Sequence, residues 1–226
     1  MRVLLTGFAS FPGVPVNATM ALVPQLAAAA KRRFPGAKLI ADVLPTEWLA
    51  APRQMEVLLL ETQPDLILHF GVSARARGFE VEQRGQNRCL LAADAGGALP
   101  VSTAVRAGGP EMLRASLPVN YIVARLRRIG IPAFASRDAG GYLCNATLYH
   151  SLAAARDRPG RRVGFIHVPA NLARPAAGLR RSAACPLTWA QALEGGLEIL
   201  ATCLNRFCGA SARPVLAPRP VPPLGP

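Results

Sequence analysis

The sequence predicts an α/β domain in which helices cover both faces of a mostly parallel sheet. Short apolar runs alternate with helical patterns along the chain, the order expected of parallel strands joined by helices. One run, "LILHFG" (Leu66–Gly71), is apolar without alternation, as a strand buried on both faces must be. Hydrophobic residues make up 51% of the 226 and charged residues 17%, a balance that supports a sizeable core.

A first strand is expected at Arg2–Thr6, then the loop "GFASFPGVPVN". Asn17 or Thr19 is suited to cap the helix in "MALVPQLAAAAKRRF", with Pro24 as a blemish inside it. Lys38–Val43 reads as a second strand, and Thr46 as the cap of a helix through "MEVLLLET". After the Leu66–Gly71 strand, residues 72–109 are polar and Gly-rich, with the alternating piece "GFEVEQ" expected as a hairpin or excursion beside the sheet. Helix, strand, helix and strand follow in "PVNYIVARLRRIG", "PAFAS", "CNATLYHSLAAA" and "RRVGFIHVPA". A last helix can start from Thr188. One domain is expected over 1–208, and a Pro-rich tail over 209–226 too poor in apolar pattern to pack.

The formal charge of +13 invites a nucleic-acid reading, but the chain has no basic helix, no aromatic–basic run and no zinc-finger spacing, so no nucleic acid is expected. No apolar run is long enough to span a membrane, and Met1 leads directly into a strand pattern; the expectation is a cytoplasmic protein without membrane contact. The cysteines, five in number and without a C-x-x-C, point to free thiols in a reducing compartment rather than to disulfides or zinc. The histidines His69, His150 and His167 are too dispersed for a helical H-x-x-x-H metal motif.

One cysteine has a distinctive setting. In "SRDAGGYLCNATLYHSL", Cys144 falls where Gly140 and Gly141 allow a tight turn into a helix. A thiol in a first helical turn faces unclaimed N–H groups and the positive dipole end, both of which favour thiolate. Cys89, Cys185, Cys203 and Cys208 lack that setting, and Cys203 fits a helix core face. A nucleophilic cysteine needs a base. His150, six residues on, is turned away around the helix and reads as structural, whereas His69 and His167 each fall near the end of an apolar strand, on the edge where parallel sheets hold ligands. Spacing leaves those two open. It also leaves the orienting acid open: Glu80 and Glu82 share one strand face, with Asp94 a further candidate and Asp138 better explained as a turn residue.

The segments "VLLTGFASFPGVPVN", "VLPTEW", "PDLILHFG", "FEVEQRGQN", "ASRDAGGYLCN" and "GFIHVPA" resemble, in order and spacing, those of the pyroglutamyl peptidase I family of cysteine peptidases (C15). The resemblance covers about residues 1–207 and implies a three-layer α/β/α fold with a twisted central sheet, of the phosphorylase/hydrolase-like kind. It implies a triad of Cys144, His167 and Glu82, the last chosen over Glu80 because it stands five residues before Asn87 as in the family's E-R-x-A-x-N stretch. Phe8 and Phe11 match aromatics that enclose the substrate ring, Tyr142 and Leu143 match pocket-lining residues, and Asn87 and Arg88 are implied as supports. The implied reaction removes an N-terminal pyroglutamyl residue from a peptide, without cofactor, in an assembly that in many relatives is a homotetramer. The chain departs from the pattern twice: "EQRGQN" replaces the usual residues after the glutamate, and Ala92 stands near the place of a family arginine whose space Arg88 is placed to fill.

Overall fold

The computed structural model describes residues 1–172 and 185–209. The tail expected from 209 onward therefore lies, beyond its first residue, outside the described residues.

Eight strands and five helices are described: β1 (Arg2–Phe8), α1 (Thr19–Arg33), β2 (Lys38–Leu44), α2 (Ala50–Thr62), β3 (Leu66–Ser73), β4 (Phe79–Glu82), β5 (Arg84–Gln86), β6 (Met112–Arg114), α3 (Val119–Arg128), β7 (Ala133–Ser136), α4 (Leu143–Ala155), β8 (Arg162–Pro169) and α5 (Trp189–Gly209). Six strands form one sheet in the order β2-β1-β3-β8-β4-β7, and β5 pairs with β6 in a separate two-stranded sheet. The large sheet is parallel except at one seam, where β4 runs antiparallel to β8.

Alternation along each strand sends side chains to two apolar clusters. On one face Val3, Leu5, Leu68 and Ile166 pack with Leu22 and Leu26 of α1, Ile122 and Leu126 of α3, and Ile199 of α5. On the other, Leu4, Ile67, Val163 and Phe165 pack with Met55 of α2 and Leu143, Leu148 and Leu152 of α4. The result is the three-layer α/β/α arrangement expected from the sequence. Glu198 of α5 fastens the first helical layer by binding Arg33 of α1 and Arg125 of α3.

Several local expectations change. "FEVE" is not beside the sheet but inside it, as β4 between β8 and β7; its pairing is non-local, and a four-residue alternating piece does not reveal its neighbours. Thr46 caps nothing: its hydroxyl donates to the Ser10 carbonyl, while α2 begins only at Ala50. Instead, buried Asp94 accepts the N–H groups of Trp48, Gly96 and Ala98, folding residues 94–98 onto the approach to α2. Asn17 does serve the start of α1, where its Oδ1 accepts from the Thr19 N–H, and Thr188 accepts the Gln191 N–H before α5. Pro24 sits within α1 without ending it.

Candidate active site

The carboxyl ends of β3 and β8 and the first turn of α4 meet at one edge of the sheet. Gly140, at φ +82°, turns the chain after β7, and extended Tyr142 then delivers Leu143 and Cys144 into the first turn of α4. No side chain caps this helix and no acidic residue stands in its first turn, so its leading N–H groups remain available near Cys144.

Sheet register separates the two candidate histidines. His69 lies opposite Phe165, while His167 lies opposite Gly71, two residues closer to the open edge. His69 is fully buried between Thr6 Oγ1 at 2.6 Å and Ser151 Oγ at 2.9 Å, and burial pushes its pKa down to about 3. It is a satisfied, neutral core histidine. His167 instead sits between Cys144 and Glu82: its Nδ1 lies 2.9 Å from Glu82 Oε1, and the Cys144 side chain is near enough to favour its charged form. Burial opposes the imidazolium there, but hydrogen bonds and negative charge from Cys144 and Glu82 outweigh it and raise the His167 pKa to about 10.

The same register sorts the two glutamates. Both project from one face of β4, with Glu80 opposite His167 and Val81 opposite Ile166. Because β4 runs against β8, Glu82 falls deeper in the sheet and is fully buried, while Glu80 stays at the rim. Glu82 Oε2 is buried without a hydrogen-bond partner, so the carboxylate spends its one side-chain hydrogen bond on His167. Burial raises the Glu80 pKa, a tendency opposed by His167 and reinforced by Glu82.

Donor atoms of Glu80, Glu82 and His167 lie within 4.8 Å of one another, the metal-competent grouping found among the described residues. Tetrahedral zinc donors stand about 3.4 Å apart, given metal–ligand distances near 2.1 Å. The 2.9 Å separation of Nδ1 and Oε1 is that of a hydrogen bond instead, and a cation would have to break it.

Cys144 and His167 open into a cavity of about 540 Å³ whose apolar wall includes Phe11, Val14, Val72, Ala139 and Tyr142. Tyr142 is fixed by rings of Phe11 and Trp48 at centroid distances of 5.8 and 5.1 Å and by its hydroxyl, which donates to the Ala93 carbonyl. Of the implied substrate-binding residues, Phe11 and Tyr142 line this cavity. Phe8 and Leu143 do not line the cavity: they are 2% and 1% exposed and pack in the second apolar cluster, Phe8 against Phe165. Inward alternation on β1 and the buried face of α4 account for both.

Neither of the two implied supports is part of the cavity wall. Asn87 accepts the Arg106 N–H and donates to the carbonyls of Arg106 and Gly109, clamping a loop. Arg88 is not itself in the cavity wall but pairs at 2.9 Å with Asp138, which is. The guanidinium-bearing residue in that wall is Arg75, which no pattern in the sequence marks. Asn145 was equally hidden: fully buried beside Cys144, it accepts the Gln86 N–H and donates to the carbonyls of Gln86 and Arg88, fastening α4 to β5. A polar residue directly after the cysteine was the available signal. His150 lies away from Cys144, against other cavities beside α2, and burial lowers its pKa.

Gly71 leaves room for the thiol. A Cβ there would stand 2.7 Å from Phe165 Cζ and 3.1 Å from Cys144 Sγ. Gly71→Ala is therefore expected to displace the sulfur and lower kcat by about 100-fold, since small misplacements near the reacting atoms cost that much. Steady-state kinetics would check this, and unchanged kcat would show that the sulfur tolerates the methyl group.

Comparison with known proteins matches residues 1–188 to the family model described as pyroglutamyl peptidase. The pyrrolidone-carboxylate peptidase of Gloeobacter violaceus is 36% identical over 170 residues, covering 75% of this chain and 82% of that one. That of Klebsiella pneumoniae is 33% identical over 198 residues, covering 87% and 91%. Among solved structures, pyroglutamyl peptidase I from Bacillus amyloliquefaciens superposes with a TM-score of 0.79 at 28% identity, covering 91% of this chain and 98% of that one. A mutant pyrrolidone carboxyl peptidase from Pyrococcus furiosus gives 0.80 at 26% identity, with 91% and 99% covered.

Proposed function

Since this chain belongs to the pyroglutamyl peptidase family, we propose that it is a cysteine peptidase that removes an N-terminal pyroglutamyl residue from peptides, with Cys144 as nucleophile. The observation that carries the reading is the relay from buried Glu82 through His167 to a thiol in the first turn of α4, at the mouth of an apolar-walled cavity. The pyrrolidone ring is small, flat and neutral, which suits a wall made by Phe11, Val14, Val72 and Tyr142.

The Cys144 thiolate attacks the pyroglutamyl carbonyl carbon, and the carbonyl oxygen takes up negative charge near the leading N–H groups of α4. Collapse breaks the C–N bond as His167 passes its proton to the departing amine, leaving a thioester. A water then loses its proton to His167 and attacks the thioester, releasing pyroglutamate and regenerating the thiolate–imidazolium pair. Glu82 holds the ring with Nδ1 toward itself and balances the charged imidazolium. The chemistry needs a reduced thiol, which a cytoplasmic setting provides. Among the described residues no helix is long and apolar enough to cross a membrane.

The reading keeps residues 1–208 as one catalytic domain with 209–226 as an appendage. It includes self-association, for which exposed Leu90, Leu91, Leu99 and Val101 offer apolar surface. A second reading, hydrolysis of another small N-capped amide, is favoured by Arg75 in the cavity wall, while Arg88 is held in an ion pair with Asp138.

The test is cleavage of a pyroglutamyl chromogenic amide beside the glutamyl, prolyl and N-acetylglycyl amides. Turnover of the pyroglutamyl amide at least about 100-fold above the others is expected, because a site that pairs a lactam leaves its polar groups unsatisfied with analogues lacking one. Preference for the acetylglycyl amide would transfer the assignment to the second reading.

A further inference from the structure

Behind the wall that holds Glu82 lies a cavity of about 570 Å³ whose lining carries Arg84, Arg114 and Arg137 and no acidic residue. Two of these arginines are forced together: in the two-stranded sheet Arg84 of β5 stands directly opposite Arg114 of β6. Like charges in that position destabilise a sheet, so the pairing works against the fold as it stands. The third is fixed in place. Arg137 Nε donates to Gln83 Oε1, Arg84 Nε donates to the Arg137 carbonyl, and the Gln83 N–H donates to the Ser136 carbonyl. None of the three forms an ion pair with a carboxylate among the described residues. The first turn of α3 closes the cavity and adds no acidic side chain.

We propose that this cavity binds a small polyvalent oxyanion of the phosphate class, which bridges Arg84 and Arg114 and draws in Arg137. Guanidinium groups meet phosphate oxygens through paired, charge-assisted hydrogen bonds, and a multivalent anion converts the cross-strand repulsion into shared attraction. The cavity exceeds what one phosphate group fills, so pyrophosphate or the phosphate end of a nucleotide suits it better than orthophosphate. The site is separate from the catalytic cavity, although Arg137 sits between Ser136 and Asp138, which line the catalytic one.

The experiment is thermal unfolding of the whole chain in sodium pyrophosphate against sodium chloride of equal ionic strength and pH. At roughly tenfold excess over Kd, pyrophosphate is expected to raise Tm by about 3–6 °C beyond the chloride control. Arg114→Gln removes one member of the repelling pair, so it is expected to melt no lower than wild type without anion and to lose the pyrophosphate response. Arg84→Gln should lose the response as well. No rise in wild type, an undiminished rise in both variants, or an anion-free Arg114→Gln that melts below wild type would overturn the proposal. Triphosphate and ATP arms separate the sources: equal shifts point to inorganic anions, and a larger shift with ATP to a nucleotide. A response confined to a single-stranded oligonucleotide would overturn the small-anion assignment in favour of diffuse backbone binding to the basic surface.

Discussion

Cys144→Ala is expected to lower kcat/KM for a pyroglutamyl amide by at least about 1,000-fold, the scale on which removal of a covalent nucleophile acts, while Tm stays close to wild type. The side chain is only half-buried and the change removes a single sulfur, so the fold loses little. Cys144→Ser keeps the volume but offers a hydroxyl that the imidazole must deprotonate, and should be almost as slow. The thiols themselves provide an independent reading. Burial raises the Cys203 pKa to about 12 and raises that of Cys89, whereas Cys144 faces an imidazolium and an open cavity. Iodoacetamide should therefore alkylate Cys144 first, in step with loss of activity, and the fast phase should be missing from Cys144→Ala. Retained activity in that variant, or fast alkylation that spares turnover, would remove Cys144 from the mechanism.

What the sequence made legible follows from how local each feature is. An uninterrupted apolar run such as Leu66–Gly71 announces a strand buried on both faces, and β3 is one. A glycine pair followed by a helical pattern announces the turn before Cys144, and Gly140 adopts the left-handed conformation that the turn requires. Features that depend on distant partners stayed hidden. Residue types and spacing could not separate His69 from His167, because the difference is a two-residue displacement along the register of β3 and β8. The same holds for Glu80 and Glu82, which share a face and differ in depth because β4 runs against β8. Asp94 reaches Trp48 across 46 positions, so no local pattern could prefer it to Thr46. Phe8 and Phe11 look alike in a loop rich in glycine and proline; one ends an inward-facing strand and the other comes to line the cavity.

Glu82→Gln is expected to move the alkaline limb of activity to lower pH by at least about one unit and to reduce kcat by about 100- to 10,000-fold, as loss of the orienting carboxylate does in related triads. Thiolate–imidazolium catalysis needs His167 protonated when the amine leaves. Burial alone would pull its pKa below the ordinary histidine value; the thiolate and the Glu82 carboxylate together hold it at about 10. In the wild type the imidazolium therefore survives through neutral and mildly alkaline pH, and the rate should fall only as pH approaches that value. Glutamine keeps the shape and an acceptor for Nδ1–H but removes the charge, so burial regains ground and deprotonation begins earlier. It also puts an NH2 group where Oε2 has no partner, which favours the amide turning its nitrogen toward Nδ1, so that Nδ1 must accept and the imidazole is held in the wrong tautomer. Glu80 supplies the control. It faces His167 from the rim of β4, along with Arg75 in the same cavity wall, and has no hydrogen bond to the imidazole. Glu80→Gln should leave the alkaline limb within a few tenths of a pH unit, because a half-buried charge is screened by solvent. A limb that moves with Glu80→Gln and stays with Glu82→Gln would reverse the two glutamates, and with them the conclusion that depth in the sheet decides which carboxylate steadies the histidine.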